Sequence, residues 1–216
     1  ANQIKAVTMA QAVTSIAEQA FSGLPELTRV NIPKTVTTVG NQAFYDCSNL
    51  STVTFEADSS LQVIEISAFQ NCTSLPSITI PKSLTILGNY AFQDCSGLST
   101  VTFEADSSLN LIGASAFQNC TSLPSITIPK SLTIMGNYAF QDCSGLLSVT
   151  FEADSSLNLI GASAFQKCTY LSDIVIPKSV ETIGQSAFRY CSCLSKVTFD
   201  TSSNLTSIED NTFRSC

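Results

Sequence analysis

The stretch Leu98–Cys120, LSTVTFEADSSLNLIGASAFQNC, decides the fold. Thr100-Val101-Thr102-Phe103 alternates polar and apolar side chains around β-branched residues, the pattern of a short strand with Val101 and Phe103 turned inward. Leu98, Val101, Phe103, Leu109, Ile112, Ala116, Phe117 and Cys120 recur in register along the whole chain. The clearest marker is Phe117, whose counterparts are Phe21, Phe44, Phe69, Phe92, Phe140, Phe165, Phe188 and Phe213, at intervals alternating 23 and 25. A fixed period in this range is the signature of a solenoid, in which each repeat buries its apolar face against its neighbours.

Strands are expected to start at Ala6, Arg29, Thr52, Ser77, Thr100, Ser125, Ser148, Asp173 and Lys196, stacked parallel in one sheet. The segment Ala114–Cys120 does not alternate and is long enough for one or two helical turns, so a short helix or 3₁₀ turn is expected opposite the sheet. Short repeats follow the strand with Ile-Pro-Lys, as at Ile80–Lys82, and long repeats with Phe-Glu-Ala-Asp-Ser-Ser, as at Phe103–Ser108. The Pro of each short repeat lacks a donor and ends its strand. Gly40, Gly88, Gly113, Gly136, Gly161 and Gly184 mark the next turn; Ala17, Glu65 and Glu209 at the same position show that it does not demand positive φ. Residues 78–125 and 126–173 match at 41 of 48 positions, so a short-long pair is the duplicated unit.

Periodicity from end to end leaves no seam, and residues 1–216 are read as a single domain. Hydrophobic residues make up 44% and charged residues 12%, a composition that supports an extended core. The net charge of -7, without a Lys or Arg cluster, argues against nucleic acid and anionic membrane surfaces as partners. No apolar run is long enough for direct membrane insertion, and the first residues lack a signal-peptide profile. The absence of His lowers the prospect of acid-base catalysis.

The string Ile-Pro-Lys-Ser-Leu-Thr-x-x-Gly-x-x-Ala-Phe-x-x-Cys-Ser-x-Leu, at Ile80–Leu98 and Ile128–Leu146, resembles the BspA-like, Treponema-type leucine-rich repeat family over essentially the whole chain. The resemblance implies an α/β fold, a right-handed leucine-rich-repeat solenoid with one parallel β-sheet of about nine short strands and short helical or 3₁₀ segments on the opposite face. It further implies display at the cell surface or in the extracellular space, as an adhesion or protein-binding module. The first repeat departs from the pattern, with Leu24 where Cys is expected and Met9 as its last strand residue.

Eight of the nine cysteines are in register and read as a buried ladder of free thiols. Their spacing does not supply the paired close ligands of a zinc site, and no metal, cofactor or catalytic residue is expected. Cys193 stands in a turn where other repeats carry Asn49, Ser74, Gly97, Ser122, Gly145 or Tyr170, so it reads as an exposed thiol: incidental, cross-linking two molecules, or paired with Cys216. Glu56 with Asp58, Glu104 with Asp106 and Glu152 with Asp154 alternate with Lys34, Lys82, Lys130 and Lys178, which reads as inter-repeat charge pairing. Of the glycosylation sequons at Asn49, Asn71, Asn119 and Asn204, two hold a core Cys in the middle position and read as by-products of the repeat.

The outward strand positions form columns of small polar residues. Candidate partner-binding residues are Thr52, Thr54, Thr79, Thr100, Thr102, Thr127, Thr150 and Thr198, joined by Tyr170, Asp173, Val175 and Lys196, where the late repeats break the monotony. The hydroxyl rows read either as a solubilising surface, as a face for a protein or polysaccharide ligand, or as an ice-binding array. The expected function is a non-enzymatic binding or adhesion module. The alternative is a self-assembling structural protein, with copies of the chain stacked end to end into a filament or surface layer.

Overall fold

A computed structural model describes residues 4–216. The element order is β1 (Ala6–Thr8), β2 (Ser15–Ile16), β3 (Arg29–Ile32), β4 (Thr38–Val39), β5 (Thr52–Phe55), β6 (Val63–Ile64), β7 (Ser77–Ile80), β8 (Ile86–Leu87) and β9 (Thr100–Phe103). It continues with β10 (Leu111–Ile112), β11 (Ser125–Ile128), β12 (Ile134–Met135), β13 (Ser148–Phe151), β14 (Leu159–Ile160), β15 (Asp173–Ile176), β16 (Thr182–Ile183), β17 (Lys196–Phe199) and β18 (Ser207–Ile208). All nine expected strand starts hold, as the odd-numbered strands.

The single sheet is corrected to two. The even-numbered strands, each two residues long, form a continuous nine-stranded parallel sheet. They escape sequence detection because two residues are too few to show alternation. The odd-numbered strands line the other sheet face, but their ladders break into β1-β3-β5, β7-β9, β11-β13 and β15-β17.

The expected helical or 3₁₀ segments are absent among the described residues, so the fold is all-β and not α/β. Backbone conformation explains the difference. Ser115 and Asn119, two residues either side of Phe117, have φ of 56° and 60°, in the left-handed region that a right-handed helix cannot contain. Alternate N–H groups then leave their own repeat. Ser115, Phe117 and Asn119 donate to the carbonyls of Asn137, Ala139 and Gln141, while Ala116, Gln118 and Cys120 donate three residues back. The third face is thus a stack of turns bonded rung to rung, and every backbone donor of this segment is satisfied without a helix.

Three faces enclose one core. The Phe rings form a spine from Phe21 to Phe213, with centroids 5.1–5.5 Å apart and planes within 9° of parallel. Offset stacks of this kind contribute about 0.5–1.5 kcal/mol each beyond burial. Beside them each ladder Cys donates its thiol to the carbonyl of the Phe one repeat earlier, as Cys120 does to Phe92 at 3.3 Å and Cys143 to Phe117 at 3.1 Å. The turn glycines serve close approach: a Cβ on Gly113 would sit 2.6 Å from the backbone of Gly88 and Asn89. Where Glu65 and Glu209 replace glycine, their carboxylates accept the N–H of Asn41 and Gln185 in the preceding repeat.

Candidate functional site

The acidic motif of the long repeats sets the geometry of the first sheet. Glu104 does not chiefly pair with a lysine ammonium; its carboxylate accepts the backbone N–H of Lys82 at 2.9 Å, and Ser108 N–H donates to the Lys82 carbonyl at 2.8 Å. Glu152 and Ser156 hold Lys130 in the same way, and Glu56 and Ser60 hold Lys34. The hydrogen bonds of Glu56, first from Gln11 and then from Lys34, lower its carboxyl below the usual range. Among the described residues the ion pairs are Lys130 with Asp106, at 4.0 Å, and Lys167 with Asp142, at 3.4 Å, so the expected alternating charge stack is corrected to a set of backbone clasps.

Each clasp ties a long repeat back to the short repeat before it. Forward, the following short repeat holds the long one by a side-chain bond, from Ser83 to the Leu61 carbonyl, Ser131 to Leu109 and Ser179 to Leu157, while the ladders are interrupted between β5 and β7, β9 and β11, and β13 and β15. Pro76 and Pro124, immediately before β7 and β11, withhold a donor from two of these joints.

The joint between β13 and β15 opens into a cleft of about 520 Å³. Its floor includes Val149 and Phe151, and its walls carry Glu152, Asp154, Asp173 and Asp200 opposite a single cation, Lys178. Asp200 is held below the usual carboxylate range, first by hydrogen bonds from the Ser202 side chain and backbone and lastly by the nearby charge of Lys178. Leu147, just before β13, and Tyr170, before β15, are exposed at 53% and 60%, and Val175 in the cleft wall at 59%.

Of the sequence candidates, the cleft brings together Thr150, Asp173 and Val175. Lys196 and Thr198 lie one strand further on, in register with Asp173 and Val175. Thr52, Thr54, Thr79, Thr100, Thr102 and Thr127 belong to the two earlier joints and do not join them. Thr52 and Thr198 are half-buried, and the remaining candidates are exposed. Glu152 and Asp154 line the cleft and Leu147 stands just before its first strand; the sequence singles out none of the three for binding. Leu147 carries a signal: its counterparts are Ser51, Pro76, Ser99, Pro124, Ser172 and Ser195.

The divergence between the two duplicated units falls in the same place. Seven positions differ, and five of the later residues, Leu147, Ser148, Tyr170, Ser172 and Asp173, stand at or just before the starts of β13 and β15. Of these, Ser148 and Asp173 line the cleft, whereas Val149, Thr150, Phe151, Glu152 and Asp154 repeat the residues of the preceding long repeat.

The thiols are inert in the core. Burial pushes Cys95, Cys143 and Cys191 up to about 12 from the ordinary 9.0, and raises Cys72, Cys120 and Cys168 well above it. All nine are free, with Cys193 and Cys216 exposed. A thiol-specific reagent is therefore expected to modify Cys193 and Cys216 in the folded protein and the other seven only on unfolding; rapid native reaction of Cys120 would contradict this. Above the ordinary thiol value the unfolded chain releases protons that the folded chain retains. Stability should accordingly fall as pH rises from about 9 toward 12.

Parallel rungs around a Phe, Leu and Cys core define a leucine-rich-repeat solenoid. The chain belongs to the BspA type leucine rich repeat family, whose model, a region of six repeat copies, matches residues 1–108 and again 102–216. The fold resembles the crystal structure of the pneumococcal vaccine antigen PcpA, with a TM-score of 0.73 at 24% identity, over 94% of this chain and 62% of that one. The chain thus spans less than two thirds of that structure. A leucine rich cell surface protein from Faecalibacterium prausnitzii matches with a TM-score of 0.54 at 25% identity, over 96% of this chain and 76% of that one. No curated protein matches the chain. Among the described residues no cluster of His, Cys, Asp or Glu is arranged to hold a metal ion, and no helix is long and apolar enough to cross a membrane.

Proposed function

We propose that the chain is a non-enzymatic binding module of the cell surface, and that its first sheet receives a partner protein at the cleft between β13 and β15. The observation that carries this reading is that two of the seven diverged positions, Ser148 and Asp173, line the cleft, and three more, Leu147, Tyr170 and Ser172, stand just before the strands that bound it. Tyr170, Leu147 and Val175 offer the exposed apolar anchors that dominate protein contacts, and Glu152, Asp154 and Asp173 favour a basic segment on the partner. The surface setting is supported by the family and by the surface protein from Faecalibacterium. A polysaccharide is the alternative ligand, favoured by the regular hydroxyl columns of the earlier joints.

The test is a binding screen of immobilised extracellular proteins and polysaccharides, run with the wild-type chain and with a Leu147→Ser, Tyr170→Ser, Asp173→Ser variant. These substitutions restore the first unit's residues at positions 122 and 125 and its Ser99, so the fold should persist. A protein ligand bound at least about tenfold more weakly by the variant, with affinity falling in high salt, is the expected result. Equal binding by both chains, or binding by neither, would remove the cleft as the site.

A further inference from the structure

The second sheet carries an outward column that the proposed site does not use. Its strand pairing places Ser15, Thr38, Val63, Ile86, Leu111, Ile134, Leu159, Thr182 and Ser207 side by side on successive rungs. The alternate residues, such as Ile64, Leu87 and Ile112, are buried in the core. Five consecutive aliphatic side chains therefore occupy the centre, with hydroxyl residues on the two rungs at each end and no charge anywhere in the column. Ile86 and Ile134 are 39% and 41% exposed, and Tyr90 and Tyr138, which follow them past the turn, are 40% and 42% exposed.

We infer that this face is the interface of a two-fold homodimer centred on β10. The pattern reads alike from either end: Ile86 and Ile134 flank Leu111, then Val63 and Leu159, Thr38 and Thr182, and Ser15 and Ser207. A two-fold contact brings one patch against its own copy, so it requires a self-complementary surface. About Leu111, a two-fold along or across the strands sets aliphatic on aliphatic and hydroxyl on hydroxyl. An apolar centre within a polar rim is also the anatomy of a stable interface.

Nine rungs at about 4.8 Å make the aliphatic column and its hydroxyl ends about 40 Å long, the length over which two copies would meet. The unbroken ladder of this sheet supplies a regular surface, unlike the interrupted first sheet. The dimer leaves both first-sheet clefts outside the contact, so one assembly would present two copies of the binding surface and gain avidity toward a multivalent partner.

Sedimentation of the wild-type chain across the micromolar range tests the inference independently of any ligand for the cleft. A reversible dimer is expected. Ile86→Thr with Ile134→Thr, which introduces the residue already present at Thr38 and Thr182, should weaken it by more than about tenfold while leaving the circular dichroism spectrum unchanged. Leu111→Cys, in a Cys193→Ser, Cys216→Ser background, should form a disulfide-linked dimer on mild oxidation. A wild-type chain that stays monomeric, a dimer unaffected by the two threonines, or a monomer that instead floats with phosphatidylcholine vesicles would each overturn the proposal.

Discussion

Replacing Phe117 with Ala is expected to lower stability by about 3–5 kcal/mol, the range for truncating a fully buried aromatic side chain. Phe117 is completely buried and stacks on Phe92 at 5.5 Å and on Phe140 at 5.2 Å, so one substitution breaks two rungs of the spine. In a solenoid each repeat is stabilised mainly by its two neighbours, so the loss does not spread evenly. Thermal unfolding should change from one transition to two, with the segments on either side of the gap melting separately. Phe213 is half-buried and, among the described residues, stacks only on Phe188, so Phe213→Ala should lose less than half as much. Equal losses at the two positions, measured by denaturant titration, would show that the spine is not the coupling element.

Ser115→Val is the second large effect. Ser115 is buried and left-handed, with φ of 56° and its N–H bonded to Asn137 O at 2.8 Å. A β-branched residue is disfavoured there by about 1–3 kcal/mol, and the surrounding rungs leave no room to relax. Ser115→Gly should be neutral or slightly stabilising, because glycine adopts this conformation without a steric penalty. The pair discriminates between architectures. In a helix, glycine would be the damaging substitution, by about 0.5 kcal/mol relative to Ser, and valine nearly harmless. Melting temperatures of the two variants settle the sign.

That face also shows where sequence reasoning stops. The strand starts, the repeat boundaries, the buried Phe and the thiol ladder are legible because each is an apolar residue recurring at a fixed position. The helical expectation fails because Ala114–Cys120 is judged by its lack of alternation, which does not distinguish a helix from stacked turns. A finer signal was present: two residues after each spine Phe stand Gly23, Asp46, Asn71, Asp94, Asn119 and Asp142, residue types that tolerate positive φ. The late repeats obscure it, with Lys167 and Tyr190 held in the same conformation by their neighbours.

The candidate site was half legible for a related reason. Tyr170, Asp173 and Val175 stand out because they interrupt a monotonous column. The cleft beside them is walled by Glu152, whose carboxylate accepts the Lys130 backbone N–H, a contact that no varying residue signals. Charge alternation in the sequence suggested ammonium-carboxylate pairs. The backbone N–H took the carboxylate instead, because it lies fixed at the neighbouring rung whereas the lysine side chain must be ordered to compete.

The most direct measurement is amide hydrogen exchange of the chain with and without a partner protein bound. Slowed exchange confined to residues 147–155 and 170–178, with the earlier joints unchanged, is the predicted result. Protection spread over the turn face around Asn119 and Asp142, or equal protection at all three joints, would contradict the assignment of the cleft as the contact surface.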